Sequence, residues 1–369
     1  MKILISPNAF KGTISAQKAG EIISEFIHSN FASVETRIYP IADGGDGTCQ
    51  LLTNALNLKY IVSWSLNVYG LPVPSYFGWD SNSFKAYIDV STVSGLGALT
   101  GEDLNPRLAS TYGTGIIIQE AIALGAKEIV LGLGGSATID LGIGILAAIG
   151  LEFLDEKGRI LTLFSPDYLK RIKHIQRTPR MPKVNFVCLY DVKNQLFGNT
   201  GSIPVFGPQK GLSEKEFPEY VTRFYELIEM IYKKSKKTFV DKEGYGAAGG
   251  VAAGLSAFFS TKLKIGSSYF FDQIDLDSKL LWADLVITGE GRYDSQSNAG
   301  KASYELLLRA KKQGRKIALI TSGKKGITDG FELVISLPDL DFSSKDLNQL
   351  AEKNLNFALN SSLKSDFWS

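Results

Sequence analysis

Apolar positions along this chain fall into two periods. At helical spacing, Ala19, Ile22, Ile23, Phe26 and Ile27 make one stripe, which predicts a helix over 15–28 with Ser15 as its N-cap. Leu347, Leu350, Ala351, Leu355 and Ala358 make a second stripe over 346–359, and 214–237 reads as an amphipathic helix with a basic end. Shorter runs rich in Ile, Val and Leu predict strands at 2–6, 35–41, 61–66, 84–90, 128–131, 184–189, 283–288 and 316–321. Strand and helix alternate at both ends of the chain, which is the grammar of a parallel sheet flanked by helices. Between 60 and about 99 strand follows strand without a helix, which predicts a mixed or antiparallel sheet.

The expected architecture is therefore α/β in two domains. A Rossmann/flavodoxin-like parallel-sheet domain is built from both chain ends, 1–60 plus 280–369, and an α/β domain with a mixed sheet, 61–279, is inserted in it. A chain of 369 residues supports two cores. Hydrophobic content of 44%, charged content of 21% and a net charge of +2 are those of an ordinary globular protein. They argue against a dedicated nucleic-acid or membrane surface. The apolar start 3–5 is too short for a signal peptide, and the longest uncharged apolar stretch, 141–151, is far short of a bilayer span. Cys49 and Cys188 show no paired spacing, so a cytoplasmic setting with both as buried thiols is expected. His28 and His174 are the only histidines, which leaves little material for a histidine-based metal site or a Ser-His-Asp relay.

Chemistry concentrates in glycine-bearing loops after the expected strands. The most pronounced follows 128–131: Gly132-Leu133-Gly134-Gly135-Ser136-Ala137-Thr138, then Asp140 and a small-residue helix over 142–149. Glycines permit close backbone approach, and the start of a helix offers unpaired N–H groups, so a loop of this form can hold phosphate. The same residues satisfy a loose dinucleotide fingerprint with Asp155 downstream, and they also read as a plain strand-to-helix turn. Carboxylates sit in four loops, at Asp43 with Asp46, at Asp140, at Asp191, and at Glu290 with Asp294. Lysines Lys11, Lys210 and Lys301 accompany three loops. Carboxylates, lysines and glycine turns at strand ends are the ingredients for a metal–nucleotide and an acidic substrate, because phosphoryl transfer relies on positioning and charge neutralisation. Each loop alone also has a structural reading: Asp43-Gly44 and Asp46-Gly47 are good turn formers, and Gly300-Lys301 lacks the spacing and following Ser/Thr of a Walker A.

Taken together these segments resemble the bacterial type I glycerate kinase family. The resemblance rests on Ser6-Pro7-x-x-Phe10-Lys11, Ala42-Asp43-Gly44-Gly45-x-Gly47-Thr48, Tyr112-Gly113-Thr114-Gly115, the Gly132 to Asp140 loop, Asp191-Val192-x-Asn194, Val205-Phe206-Gly207-Pro208-Gln209-Lys210-Gly211, Gly246-Ala247-Ala248-Gly249-Gly250, and Thr288-Gly289-Glu290-Gly291-Arg292-x-Asp294 through Gly300-Lys301. It implies ATP-dependent phosphorylation of D-glycerate to 2-phosphoglycerate (or 3-phosphoglycerate), with Mg²⁺ as cofactor and the active site in a cleft between two α/β domains. In this reading Asp191 is the general base, with Lys11 and Lys210 neutralising charge. Gly134, Gly135, Ser136, Ala137, Thr138 and Lys301 hold ATP phosphate. Arg292, Asp43 and Asp46 bind substrate, and Glu290, Asp294 and Asp43 hold the metal. The implied partners are D-glycerate and ATP, with neither nucleic acid nor membrane, and a homodimer is left open. The sequence departs from the family pattern in Asn8 and Ala9 for Asp-Ser, Ile139 and Leu141 flanking Asp140 for Asn and Gly, Gln195 for Pro, and Asp46 for Glu. Two other classes remain open on the residues: a nicotinamide dehydrogenase using the Gly132 loop with Asp155, and a non-catalytic or altered-specificity binding homologue.

Overall fold

The structure is a computed structural model that describes residues 1–10, 12–97, 99, 103–293, 301–322, 328–342, 344, 346–364 and 366–368. Its strands are Lys2–Ile5 (β1), Glu35–Ile38 (β2), Lys59–Leu66 (β3), Pro72–Asp80 (β4), Lys85–Asp89 (β5), Glu128–Gly132 (β6), Leu151–Leu154 (β7), His174–Arg177 (β8), Asn185–Tyr190 (β9), Ser260–Ile265 (β10), Leu285–Gly289 (β11), Lys316–Thr321 (β12) and Leu333–Ser336 (β13). The chain divides into two compact units, Met1–Asp43 with Ser267–Ser369, and Gly44–Gly266.

The first unit is a five-stranded sheet in the order β13-β12-β11-β1-β2, parallel throughout and drawn from both ends of the chain as its alternating pattern implies. Ile3 pairs with Leu285 on one side and Thr36 on the other, so β1 is an internal strand, and its Ile3, Leu4 and Ile5 are buried. Order reverses between β1 and β11: β2 lies outside β1, while β12 and β13 run outward from β11. In open parallel sheets such a reversal opens a crevice at the carboxyl ends of the strands. Helix Ala16–Asn30, capped by the Ser15 hydroxyl, buries the expected stripe of Ala19, Ile22, Ile23, Phe26 and Ile27 against this sheet, and helix Leu347–Ser361 joins the same core.

The second unit carries a six-stranded sheet in the order β10-β9-β6-β5-β4-β3. Its β10, β9, β6 and β5 are mutually parallel, while β3, β4 and β5 pair antiparallel, so the sheet is mixed as expected. The stretch around Pro72 and Pro74 reads as turn, yet it begins β4. β4 pairs with β3 along its whole length and with β5 from Gly78 to Asp80, so among the described residues its prolines sit where β4 has a strand partner on one side. Helix Thr48–Ala55 packs on β4, β5 and β6, which is why the chain passes to this unit before residue 60. A small antiparallel pair, β7 with β8, completes the unit and has no counterpart in the reading of the sequence.

Helix Tyr112–Ala123 lies so close to β3 that a Cβ on Gly113 would stand 1.8 Å from the Leu66 carbonyl oxygen. Gly113→Ala should therefore destabilise the fold by about 3 kcal/mol. Thermal or urea unfolding checks this, and an unchanged midpoint would show that the helix moves away freely.

Candidate functional site

Within the second unit, the carboxyl ends of the parallel strands bring together Asp89, the Gly132–Thr138 turn and Asp191. The Gly132 turn is locked by backbone packing. Gly134 donates its N–H to the Gly44 carbonyl at 3.2 Å, and a Cβ on Gly134 would fall 2.3 Å from the Gly45 Cα. Asp89 is buried and accepts hydrogen bonds from the N–H groups of Cys49 (3.0 Å) and Gln50 (3.1 Å), which anchors the start of helix Thr48–Ala55. A Cβ on Gly132 would meet that carboxylate at 2.2 Å. Burial pushes the Asp89 carboxyl up to about 6, against the pull of these N–H donors. Asp46, exposed, accepts from the Ser91 hydroxyl and lies beside Gly135.

Not every expected phosphate donor in the turn is available. Leu133 and Ala137 give their N–H groups to Leu189 and Ser94, and Gly134 is engaged as described. Gly135 and Ser136 are the two whose N–H groups find no acceptor among the described residues. The helix that follows, Ile143–Ala148, offers nothing further: buried Asp140 accepts from Gly142 and Gly144, and the Thr111 hydroxyl accepts from Ile145. Thr111 also donates both its N–H and its hydroxyl to Asp140, each at 2.8 Å. Asp140 thus does the work at this helix start that the sequence assigns to a bound phosphate. Leu141, where the family pattern has glycine, holds φ at 55°, and both it and Ile139 are buried in the hydrophobic core. The change at 139 is absorbed by packing.

Beneath the turn lies Lys210, on the short 3₁₀ helix Pro208–Lys210 and only 3% exposed. Its ammonium donates to the Ser136 hydroxyl at 3.2 Å and the Thr138 carbonyl at 2.8 Å. Burial lowers its pKa to about 7, with the Asp140 carboxylate opposing. Lys210 is buried and bonded to both ends of the segment Ser136–Thr138, so it braces that part of the turn. Asp191 follows β9 directly and is half-buried. Asp155, the ribose partner in the dehydrogenase reading, is folded into its own turn by Lys157 and Arg159. That leaves the fingerprint without its acidic partner.

Within the first unit, the order reversal between β1 and β11 gathers a second set. Asn8 donates its amide to Asp43 at 3.1 Å, and its backbone N–H reaches the Gly289 carbonyl. An aspartate at position 8 would set two carboxylates at that separation, so asparagine here spares Asp43 a like-charge neighbour. Glu290 is 5% exposed, and its Oε1 has no hydrogen-bond partner among the described residues. Its Oε2 stands 3.5 Å from the Lys301 ammonium, which also reaches the Arg292 carbonyl. Burial pushes the Glu290 carboxyl up to about 7; Lys301 pulls it down and Asp43 adds to the rise. Arg292 is exposed. Lys11 and Asp294 lie outside the described residues. Asp89 and Thr111 escape sequence reading because each sits in an ordinary strand or helix-start context. Only the fold reveals the backbone donors that surround them.

A sequence model described as the glycerate kinase family matches residues 3–364. The chain is 32% identical over 366 residues to a glycerate kinase of Haemophilus influenzae, covering 96% of each. It is 32% identical over 353 residues to the glycerate 2-kinase of Escherichia coli, covering 92% of each. A solved structure described as a glycerate kinase 2 of Salmonella typhimurium LT2 superposes with a TM-score of 0.82 at 29% identity, over 98% of this chain and 97% of that one.

Glu290 is protonated more readily folded than unfolded, since its pKa rises from 4.5 to about 7. Its contribution to stability is full below 4.5 and is lost as pH rises through 7, on the order of 3 kcal/mol at the limit. Glu290→Gln should flatten the stability–pH curve across that window, as followed by urea midpoints. Identical slopes in both proteins would place the carboxyl in water.

Proposed function

The chain belongs to the glycerate kinase family, and from that premise we propose that it transfers the terminal phosphoryl group of ATP to the 2-hydroxyl of D-glycerate, with Mg²⁺. The observation that carries this reading is the Gly135–Ser136 turn. Two N–H groups without acceptors among the described residues belong to the turn whose Ser136 hydroxyl accepts from the buried Lys210 ammonium, at the carboxyl edge of the parallel strands. Such a turn favours an anion of phosphate's shape and charge, and it is rigid before the anion arrives.

In this mechanism the substrate hydroxyl attacks the terminal phosphorus, the bond to the ADP oxygen breaks, and the hydroxyl proton passes to Asp191. Asp191 stands at the end of β9, next to β6, from which the turn springs. Gly135 and Ser136 steady the phosphoryl oxygens, and Lys210 holds the turn and offsets its charge. Glu290 and Asp43 would hold Mg²⁺. The buried, unpartnered Oε1 of Glu290 fits a cation ligand, and magnesium bound to nucleotide needs one or two carboxylates while keeping its waters. Its chemistry when bound is to neutralise the phosphates. Lys301 beside Glu290 offers a phosphate contact, and exposed Arg292 is matched to the glycerate carboxylate. Asp46, engaged with Ser91, shapes the turn rather than meeting substrate directly. No helix of the described residues is long and apolar enough to cross a membrane.

ADP release should require both D-glycerate and Mg²⁺, and ³¹P NMR of the product should show the 2-phosphate. NAD(H) binding without ADP release would support the dehydrogenase reading instead. Asp191→Asn should lower kcat by about 10³-fold while the melting temperature holds. Turnover within a few-fold of wild type would remove Asp191 from proton transfer.

A further inference from the structure

The two edges of the second unit's sheet are built differently. Edge strand β10 reads Ser-Thr-Lys-Leu-Lys-Ile, and its Lys262 and Lys264 point to solvent. Lysines on an exposed edge prevent another strand from adding to it. On the opposite edge, β3, the one lysine is Lys59 at the first residue of the strand. The chain is uncharged from Tyr60 through Trp79, a span that covers all of β3 after Lys59, the connecting turn and β4 up to Asp80. Alternate residues of β3 face helix Tyr112–Ala123, where the Ser65 hydroxyl reaches the Gly113 carbonyl at 2.7 Å. On the other face Val62 is 75% exposed and Trp64 70%, and Leu71 at the turn is 62% exposed. Opposite them on β4, Tyr76 pairs with Val62, Pro74 with Trp64 and Pro72 with Leu66, and both prolines are exposed.

We infer that this ribbon is a homodimer interface, in which β3 pairs antiparallel with β3 of a second copy across a two-fold axis. The register that places Ser63 opposite its own copy sets Val62 against Trp64 of the other chain, twice. Aromatic and β-branched residues opposed in this way stabilise a strand pair. The register brings no two like charges together, because Lys59 lies beyond the paired centre. The pairing takes the free backbone edge of β3 out of water in each copy and packs Val62 and Trp64 of one chain against Trp64 and Val62 of the other. A second copy is the occupant the surface fits. It brings the same uncharged strand, and an isologous pairing closes after two chains, which an open strand edge otherwise does not.

Sedimentation velocity and light scattering on the full chain test this. Wild type should run at twice 40.2 kDa. Trp64→Lys, and separately Val62→Lys, should run as monomers with unchanged far-ultraviolet circular dichroism, because both side chains are mostly in solvent. Ser63→Cys should form an intermolecular disulfide on mild oxidation, since Cys49 and Cys188 are buried. A monomeric wild type, a dimer that survives both lysine variants with Ser63→Cys uncrosslinked, or open-ended polymers would each overturn the proposal.

Discussion

In the second unit everything near the carboxyl edge of the sheet depends on two backbones lying in contact. The turn at Gly44–Gly45 and the turn at Gly134 approach so closely that no side chain fits between them. That contact is held from below by Asp89, whose carboxylate gathers the first N–H groups of helix Thr48–Ala55 and fills the space left by Gly132. A buried carboxylate without its donors would cost several kcal/mol, so the helix start, the glycine and the acid are mutually required. The rigidity of the Ser136 turn, and with it any anion site there, follows from this packing.

The same economy of donors recurs at Asp140. Its side chain answers Gly142, Gly144 and Thr111, which are the groups a helix start would otherwise present to a ligand. The enzyme has thus closed one end of its glycine loop with its own carboxylate and left the other, Gly135 and Ser136, open. Lys210 explains why that opening suits an anion. An ammonium almost wholly removed from water, with the Ser136 hydroxyl and the Thr138 carbonyl as its partners, is a poorly compensated positive charge bonded to the same turn.

The first unit reaches a comparable end by topology. Its strand order turns back between β1 and β11, and the residues that follow those strands, Asn8 and Glu290, are brought to one edge with Asp43. The asparagine at position 8 keeps a hydrogen bond to Asp43 where an acid would repel it. The departures from the family pattern at 8, 139 and 141 therefore have local structural accounts: an amide–carboxylate bond, a buried apolar contact and a left-handed residue.

The sequence by itself determined the α/β class, the parallel sheet drawn from both chain ends, the mixed sheet between them and the family, because apolar period and short glycine motifs are local properties. It also marked Lys210, Ser136 and Glu290 as chemically unusual, since lysine, serine and glutamate beside glycine turns are visible as letters. Only the tertiary structure decided which N–H groups of the Gly132 loop are already satisfied, that Asp89 and Asp140 serve the backbone, and that β4 begins at two prolines. Those outcomes depend on which strand ends and helix starts meet. Hydrogen-bond partners tens of residues apart are set by packing, and no window along the chain contains both members of the pair.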